Sequence, residues 1–377
     1  MQKWLSRSHP PRWSTLFVVH IVASCASISV EKPASTVNPP EAETVDEAPG
    51  ELEQTPVVVA APSTWGSARE QFEFRCPSPA FELAEERSVE RGGTTVVIQG
   101  DHARHLDAQT GPLRIGVLGA LKDASPETRE NVQRAARRFA KERVTLVVAN
   151  GDLGEDRELI DVFTMLDEEM PVPTLVHSGN MEWTSAFTRA LAEAEDQGAA
   201  LLNGNWISHL ELRGGVHLLV LPGYHDLRFL KPGGCRYVDD DIERIQNLAR
   251  TLSARGDTVV VVSHGPPRQQ GHQGLDLTLD DGGHVGDPRL TTLLEAGDVA
   301  VGIFSHILES GGRATGDPTG ELPLKLPMKR TVPRLFVNAG SASAYPWQLL
   351  DGRTSVGMAM IVEVAKEGAR AEVFPLR

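Results

Sequence analysis

Four predicted strands in the middle of the chain each end in a short polar cluster. The clusters are Gly151-Asp152, Gly179-Asn180, Ser263-His264-Gly265 and Ser305-His306. In open α/β sheets, ligands bind beyond the carboxyl ends of the strands, so these side chains are expected to meet. One carboxylate, one amide oxygen and two imidazoles suit a borderline divalent metal ion. A single strand-end Asp or His is more often a cap, but four in succession favour a metal site.

The elements that must position these residues alternate between strand and helix patterns. Apolar runs such as 144–149 and 258–262 carry no charge, which is typical of strands buried on both faces. Ser125-Pro126 predicts a helix start, because serine caps a helix and proline is tolerated in the first turn. The pattern predicts an α/β fold in which sheets are buried between helices.

The order of the four clusters resembles the calcineurin-like metallophosphoesterases over about residues 114–345. Residues 151–155 match a Gly-Asp-x-x-Asp/Glu block, and 263–267 resemble a frequent form of the fourth block. Residues 305–310 resemble a Gly-His-x-His-Glu-Ser block. The resemblance implies a four-layer αββα sandwich with mixed sheets. It also implies a phosphoester hydrolase, in which two metal ions clamp the attacking and leaving oxygens.

Position in the family pattern implies a role for each retained residue. Asp152 corresponds to the carboxylate that bridges the two ions, and Asn180, His264 and His306 complete the shell of the second metal. The resemblance therefore implies one divalent metal ion, Mn, Fe or Zn, with a metal-free protein as the alternative.

The first-metal positions depart from the family pattern. The opening Asp-x-His block reads Ala120-Leu121-Lys122, and the second histidine of the last block is Leu308. Met181 replaces the histidine that assists the leaving group or contacts the phosphate.

Two hypotheses remain: a hydrolase whose activity is reduced, altered or lost, or a noncatalytic protein that binds a metal, a phosphorylated ligand or an envelope partner. The losses favour the second, because a lone cation cannot form the two-sided clamp.

Two residues are candidates for the missing catalytic groups. Lys122 could place its ammonium in the first-metal position beside Asp152, where it would attract phosphate as a point charge. The alternative is a lysine that extends to solvent. His225 could replace the missing acid, or be a loop histidine bonded to Asp226.

Four further polar residues are predicted to have no catalytic part. Asp123 could replace a lost metal ligand, although its offset from Ala120 favours a cap of the helix that follows it, and Glu182 is expected to be solvated or to cap a helix. His102 and His105 are expected at the surface.

The first 64 residues resemble an export signal followed by a tether. An apolar run at 16–23 is too short to span a bilayer, which needs about 20 residues. Val22-Ala23-Ser24-Cys25 resembles a bacterial lipobox, which implies a signal peptide at 1–24 and lipidation of Cys25, with an ordinary signal peptide as the alternative. Residues 25–64 are predicted to be an acidic, Pro-rich tether. The folded part would then lie in the cell envelope, on the periplasmic face of an outer membrane or at the cell surface.

The rest of the chain is divided into a strand-rich segment at 65–111 and a phosphoesterase domain at 112–377. The net charge of -14 argues against nonspecific nucleic-acid binding. The expected partners are a phosphoester small molecule or an envelope protein, and the membrane through the lipid anchor.

Cys76 and Cys235 could pair in an oxidising compartment or remain two separate small apolar residues.

Overall fold

The computed structural model describes residues 76, 86–106, 111–278, 283–355 and 357–377. All of them belong to one compact unit, Ala60–Arg377. The expected signal peptide, the tether and a strand predicted at 72–75 lie outside the described residues. Within the described part of the chain, no helix combines the length and the apolar character needed to cross a bilayer.

Sixteen strands and five α-helices are found in the described residues. The strands are β1 (Arg87–Arg91), β2 (Thr94–Gln99), β3 (His102–Leu106), β4 (Leu113–Leu118), β5 (Leu146–Asn150), β6 (Thr174–His177), β7 (Leu201–Asn203), β8 (His209–Leu212), β9 (Val216–Leu221), β10 (Thr258–Ser263), β11 (Val301–Phe304), β12 (Arg313–Thr315), β13 (Pro323–Leu324), β14 (Leu335–Asn338), β15 (Met358–Ala365) and β16 (Gly368–Pro375). The helices are α1 (Pro126–Lys141), α2 (Leu159–Glu169), α3 (Thr184–Asp196), α4 (Asp239–Ser253) and α5 (Pro288–Ala296). A 3-10 turn follows β11 at Leu308–Ser310.

The strands form two mixed sheets. The larger has ten strands in the order β1-β2-β3-β8-β9-β10-β11-β14-β12-β13, and the smaller has six in the order β16-β15-β4-β5-β6-β7. The central strands of each sheet are parallel: β9, β10, β11 and β14 in the larger, and β4 to β7 in the smaller. Because parallel neighbours end at the same edge, this arrangement brings the polar clusters after β5 and β6, and those after β10 and β11, side by side.

The two sheets face each other across a central apolar core that includes Val148 from one sheet and Val260 from the other. Helices α1 to α3 cover the outer face of the smaller sheet with residues such as Phe139 and Phe163. Helices α4 and α5 cover the larger sheet, with Ile245 in their core. The central strands thus have no face toward water, which explains their charge-free sequences. The predicted four-layer αββα fold is confirmed.

Helix α1 begins where the sequence indicated. The Oγ atom of Ser125 accepts the backbone N–H of Thr128 at 3.3 Å, and Pro126 occupies the first turn. The apolar side then packs on the smaller sheet through Val132 and Phe139. Asp123 stabilises the same turn, because its Oδ1 accepts the backbone N–H of Ser125 at 2.9 Å. Asp123 thus supports the cap made by Ser125 and is not itself the cap residue.

The segment before the central strands extends the larger sheet. β2 forms at the predicted place, and β3 joins β8 in parallel pairing. Alternate residues of β3 face the core, so Ala103 and His105 are buried while Leu106 is exposed. The prediction of a surface His105 is therefore wrong. The sequence carries no clear signal for this position, because His105 faces inward while the apolar Leu106 faces outward.

A disulfide joins Cys76 to Cys235, with Cα atoms 4.6 Å apart. Both cysteines are buried, and the backbone N–H of Cys76 also donates to the carbonyl of Arg236 at 3.2 Å. The bond fixes residue 76 against the loop between β9 and α4.

Candidate metal centre

The four predicted metal ligands lie together beyond the ends of β5, β6, β10 and β11. The Nε2 atom of His264 is 3.1 Å from Asn180 Oδ1, 3.1 Å from His306 Nδ1 and 3.2 Å from Asp152 Oδ1. His264 and Asp152 are buried, and His306 is half-buried. The structure therefore gathers around the His264 ring every residue that the sequence proposed as a ligand.

Sharp backbone turns aim these side chains into the site. Asp152 and His306 both have left-handed backbone conformations, with φ of 55° and 59°, and Gly151 precedes Asp152 with φ of 72°. Such a conformation is uncommon for residues other than glycine. A Cβ atom at Gly151 would lie 2.4 Å from His264 Nδ1, and one at Gly179 would lie 2.7 Å from the same ring. Both glycines are needed for the strand ends to approach His264.

Hydrogen bonds behind the site fix the orientation of the ligand atoms. His264 Nδ1 lies 2.9 Å from the carbonyl oxygen of Asn150. A carbonyl only accepts, so Nδ1 carries a proton, and Nε2 is the ring nitrogen that faces the site. The Nδ2 atom of Asn180 donates to the carbonyl of Phe229 at 2.8 Å, which turns its Oδ1 toward the site.

The donor set fits a divalent metal ion. His264 Nε2 faces Asn180 Oδ1 at 3.1 Å and Asp152 Oδ1 at 3.2 Å. Asp152 Oδ1 is buried and has no hydrogen-bond partner among the described residues. One ligand atom each from Asp152, His264 and His306 can be chosen within 4.8 Å of one another. A cation would satisfy all of these atoms, as imidazole and carboxylate ligands do for Mn, Fe and Zn.

The electrostatics of the histidines differ. Burial opposes a charge on His264, but the Asp152 carboxylate outweighs it and raises the pKa of His264. Burial and the neighbouring His264 lower the pKa of His306 to about 3. Burial also opposes the charge on Asp152, yet Lys122 and His264 hold the pKa of that carboxyl well below its usual range. The site thus contains a carboxylate and a neutral His306 at neutral pH.

Lys122 lies against the other side of Asp152. Its Nζ donates to Asp152 Oδ2 and lies 3.2 Å from the sulfur of Met181. The Trp347 ring covers it, with the ring centroid 5.7 Å from Nζ. The side chain is only 13% exposed, so the alternative of a lysine that extends to solvent is wrong. Asp152 therefore presents Oδ1 to the histidines and Oδ2 to an ammonium.

The other altered positions supply no hard ligand atom. Ala120 is buried and Leu308 is half-buried, and neither side chain carries a donor atom. Met181 has only a thioether sulfur, a soft ligand that suits Cu(I) rather than Mn or Mg. Lys122 and these side chains thus stand at the positions where the family resemblance implied ligands of a first metal.

His225 does not make the hydrogen bond predicted as one alternative. Asp226 accepts from the guanidinium of Arg228 at 3.0 Å instead. The Nδ1 atom of His225 is buried and has no hydrogen-bond partner within the described ranges. Burial lowers the pKa of His225. The adjacent Tyr224 ring packs on His306 at 4.3 Å between centroids.

Glu182 contributes to the site in a way that the sequence did not indicate. Its side chain is fully buried, so the prediction that it is solvated or caps a helix is wrong. Oε2 accepts the backbone N–H of Gly179 at 2.7 Å, and Oε1 accepts that of Leu153. Burial and the nearby Asp152 raise the pKa of Glu182 against the opposing effect of these two donors. Buried N–H groups at two strand ends need an acceptor, and that requirement is the signal that could have identified it.

Comparison with known proteins gives one family match. Residues 95–310 match the Calcineurin-like phosphoesterase family. No curated protein matches the chain significantly. Similar solved structures include GAP50, the anchor in the inner membrane complex of Plasmodium, at 16% identity and a TM-score of 0.47, covering 71% of this chain and 86% of that one. A dimetal phosphatase from Danio rerio is 14% identical with a TM-score of 0.44, covering 71% and 100%. A purple acid phosphatase from yellow lupin (Lupinus luteus) is 13% identical with a TM-score of 0.43, covering 75% and 57%.

The family match includes the ends of β5, β6, β10 and β11 and all four residues of the candidate metal centre. It begins at residue 95, within the strand-rich segment that extends the larger sheet. The matched range is more than half of the 377 residues. The chain belongs to the calcineurin-like phosphoesterase family.

Proposed function

We propose that this protein binds one divalent metal ion and uses that ion together with Lys122 to hold a phosphoester, without the two-metal hydrolysis that the family resemblance implied. The observation that carries the proposal is that the two carboxylate oxygens of Asp152 face different partners. One of its oxygens faces His264, and the other accepts from Lys122. This supports an ammonium in place of the first metal that the family resemblance implies.

The residues present support binding better than turnover. Asp152, Asn180, His264 and His306 would hold the ion, which would act as a Lewis acid toward a phosphoryl oxygen. Lys122 adds a charge of +1 on the other side of Asp152, and this attracts a phosphate but does not activate water. Met181 has no proton to give to a leaving group. The site therefore has the positive charge to bind a phosphate and lacks the groups that complete an in-line displacement.

Hydrolysis with a single metal is the second candidate function. It is favoured by the complete set of four retained residues, which converge on His264. His225 would be its general acid. The lowered pKa of His225 leaves the ring neutral near pH 7, which weakens it as an acid. Binding without turnover remains the proposal that the geometry supports best.

Lys122→Ala is expected to weaken the binding of inorganic phosphate to the Mn²⁺-loaded full chain about tenfold. This is the size of the loss when one charge-assisted hydrogen bond worth about 1.4 kcal/mol is removed. Isothermal titration calorimetry measures it. Lys141→Ala, at the exposed C-terminal end of α1, is the control and should bind phosphate like the wild type.

An activity assay of the full-length wild-type protein decides between the two functions. An aryl-phosphodiester assay with Mn²⁺, Zn²⁺ and Fe²⁺ should show no turnover above that of His264→Ala. Metal-dependent turnover that His264→Ala abolishes would establish the hydrolase instead. Phosphate binding that is the same in Lys122→Ala and wild type would refute the role of the ammonium.

We further propose that the protein is anchored through a lipid on Cys25 and faces the cell envelope, where its partner is a phosphoester small molecule or an envelope protein. The lipobox-like sequence and the acidic segment after it support this location. Cys25→Ser should move the full chain from the membrane pellet to the soluble envelope fraction. Wild-type protein that is already soluble would contradict the anchor.

A further inference from the structure

We propose that Glu182 is a positioning residue that joins the two loops carrying Asp152 and Asn180 and so sets the geometry of the metal centre. This inference rests on the metal binding proposed above. Glu182 itself lies outside the set of ligand atoms, because both of its oxygens face backbone N–H groups.

Each hydrogen bond of Glu182 fixes a peptide beside a ligand. Leu153, whose N–H reaches Oε1, directly follows Asp152. Gly179, whose N–H reaches Oε2 at 2.7 Å, directly precedes Asn180. One carboxylate therefore ties the end of β5 to the end of β6. The distance between the Asp152 and Asn180 side chains depends on this connection.

The backbone at the end of β5 needs such a partner. Gly151 and Asp152 are consecutive left-handed residues, with φ of 72° and 55°. The left-handed conformation costs roughly 1–2 kcal/mol for a residue with a Cβ. If the buried N–H of Leu153 lost its acceptor, a penalty of about 1–3 kcal/mol would be added. The loop would then be free to relax, and the Asp152 carboxylate would move away from His264.

The two loops pack closely, and no neighbouring side chain is placed to replace the Glu182 carboxylate as an acceptor. A Cβ atom at Gly179 would lie 2.7 Å from the backbone nitrogen of Asp152. Glu182 is fully buried. Its neighbours point elsewhere, since Met181 contacts Lys122 and Trp183 is 38% exposed. Within this stretch, the carboxylate of Glu182 is the group that turns toward both loops.

The experiment compares Mn²⁺ binding by full-length wild type, Glu182→Gln and Glu182→Ala, measured by calorimetry. Glutamine keeps the volume and one acceptor oxygen, so binding should weaken about tenfold, and alanine removes both acceptors, so it should weaken about 100-fold. These are the losses typical of residues that orient metal ligands. The number of ions per chain should stay the same in the glutamine variant, because no ligand is removed.

Glu169→Gln is the matched control. It removes a glutamate charge from an ion pair with Arg129, formed by α2 and α1, and should bind Mn²⁺ like the wild type. The melting temperature of the metal-free proteins separates positioning from folding. Glu182→Gln should remain folded, with a melting temperature well above that of the titration, while losing the Mn²⁺ affinity that the control keeps.

The outcomes separate this inference from the proposed function. If wild type binds one ion and both Glu182 variants bind it equally tightly, the positioning role is wrong and the metal site stands. If wild type binds no ion, the proposed function is wrong and this inference falls with it. If Glu182→Ala does not fold, Glu182→Gln alone decides, and wild-type affinity in that variant overturns the inference.

Discussion

Introducing ligands at the three positions where the family resemblance implies first-metal ligands is expected to raise the metal content from the proposed one ion to two. The variant combines Ala120→Asp, Lys122→His and Leu308→His, the residue types that the family pattern places there. Lys122→His removes the ammonium from Asp152 Oδ2, which frees that oxygen for a second ion so that the carboxylate could bridge two. The left-handed backbone at Ala120 and Lys122, with φ of 41° and 69°, is a conformation in which Asp and His are enriched.

The restored centre should also hydrolyse an aryl phosphodiester. A second cation stabilises the charge that develops on the leaving oxygen, so turnover should rise at least ~100-fold above the background rate measured with His264→Ala, comparable with one preorganised charge in an active site. Lys122→Ala is the control, because it removes the ammonium without adding a ligand and should still bind one ion. A folded triple variant that binds a single ion would contradict the idea that ligand loss alone abolished the first site.

His264→Ala is expected to abolish specific metal binding. The Nε2 atom of His264 lies within 3.2 Å of a ligand atom from each of the other three residues, so its loss opens the centre of the shell. Affinity should fall by more than the roughly 10–100-fold seen when a residue behind a metal ligand is removed. Calorimetry with Mn²⁺ measures the loss.

His102→Ala provides the comparison. His102 begins β3 at the pairing with β8, so its removal should leave Mn²⁺ affinity unchanged. Wild-type affinity in His264→Ala would show that the four clustered residues are not the metal site.

The sequence predicted those parts of the fold that depend on local signals. Ser125-Pro126 is a complete start signal for α1, and the charge-free runs identified β5 and β10 within two residues at each end. The four candidate ligands could be named because each directly follows an apolar strand. Strand ends that share an edge must meet, whatever the packing elsewhere.

The remaining features depend on contacts between distant residues. Glu182 could not be assigned, because its partners Leu153 and Gly179 belong to two different loops. The sequence suggested His225 as the partner of Asp226, but Arg228 donates to its carboxylate instead. For Lys122 the sequence left two alternatives, and only the position of Asp152 decides between them. β3 was missed because Arg104 and two histidines hide its alternation.

The number of divalent ions bound per full-length chain is the most direct test of a centre in which Lys122 replaces one metal. Mass spectrometry of the Mn²⁺-saturated, dialysed protein counts the ions, and calorimetry gives the stoichiometry independently. One ion per chain is expected, because Asp152 has one oxygen available and the other is bound to Lys122. Two tightly bound ions would show that the ammonium does not occupy the first-metal position, and none would show that the clustered ligands do not form a metal site.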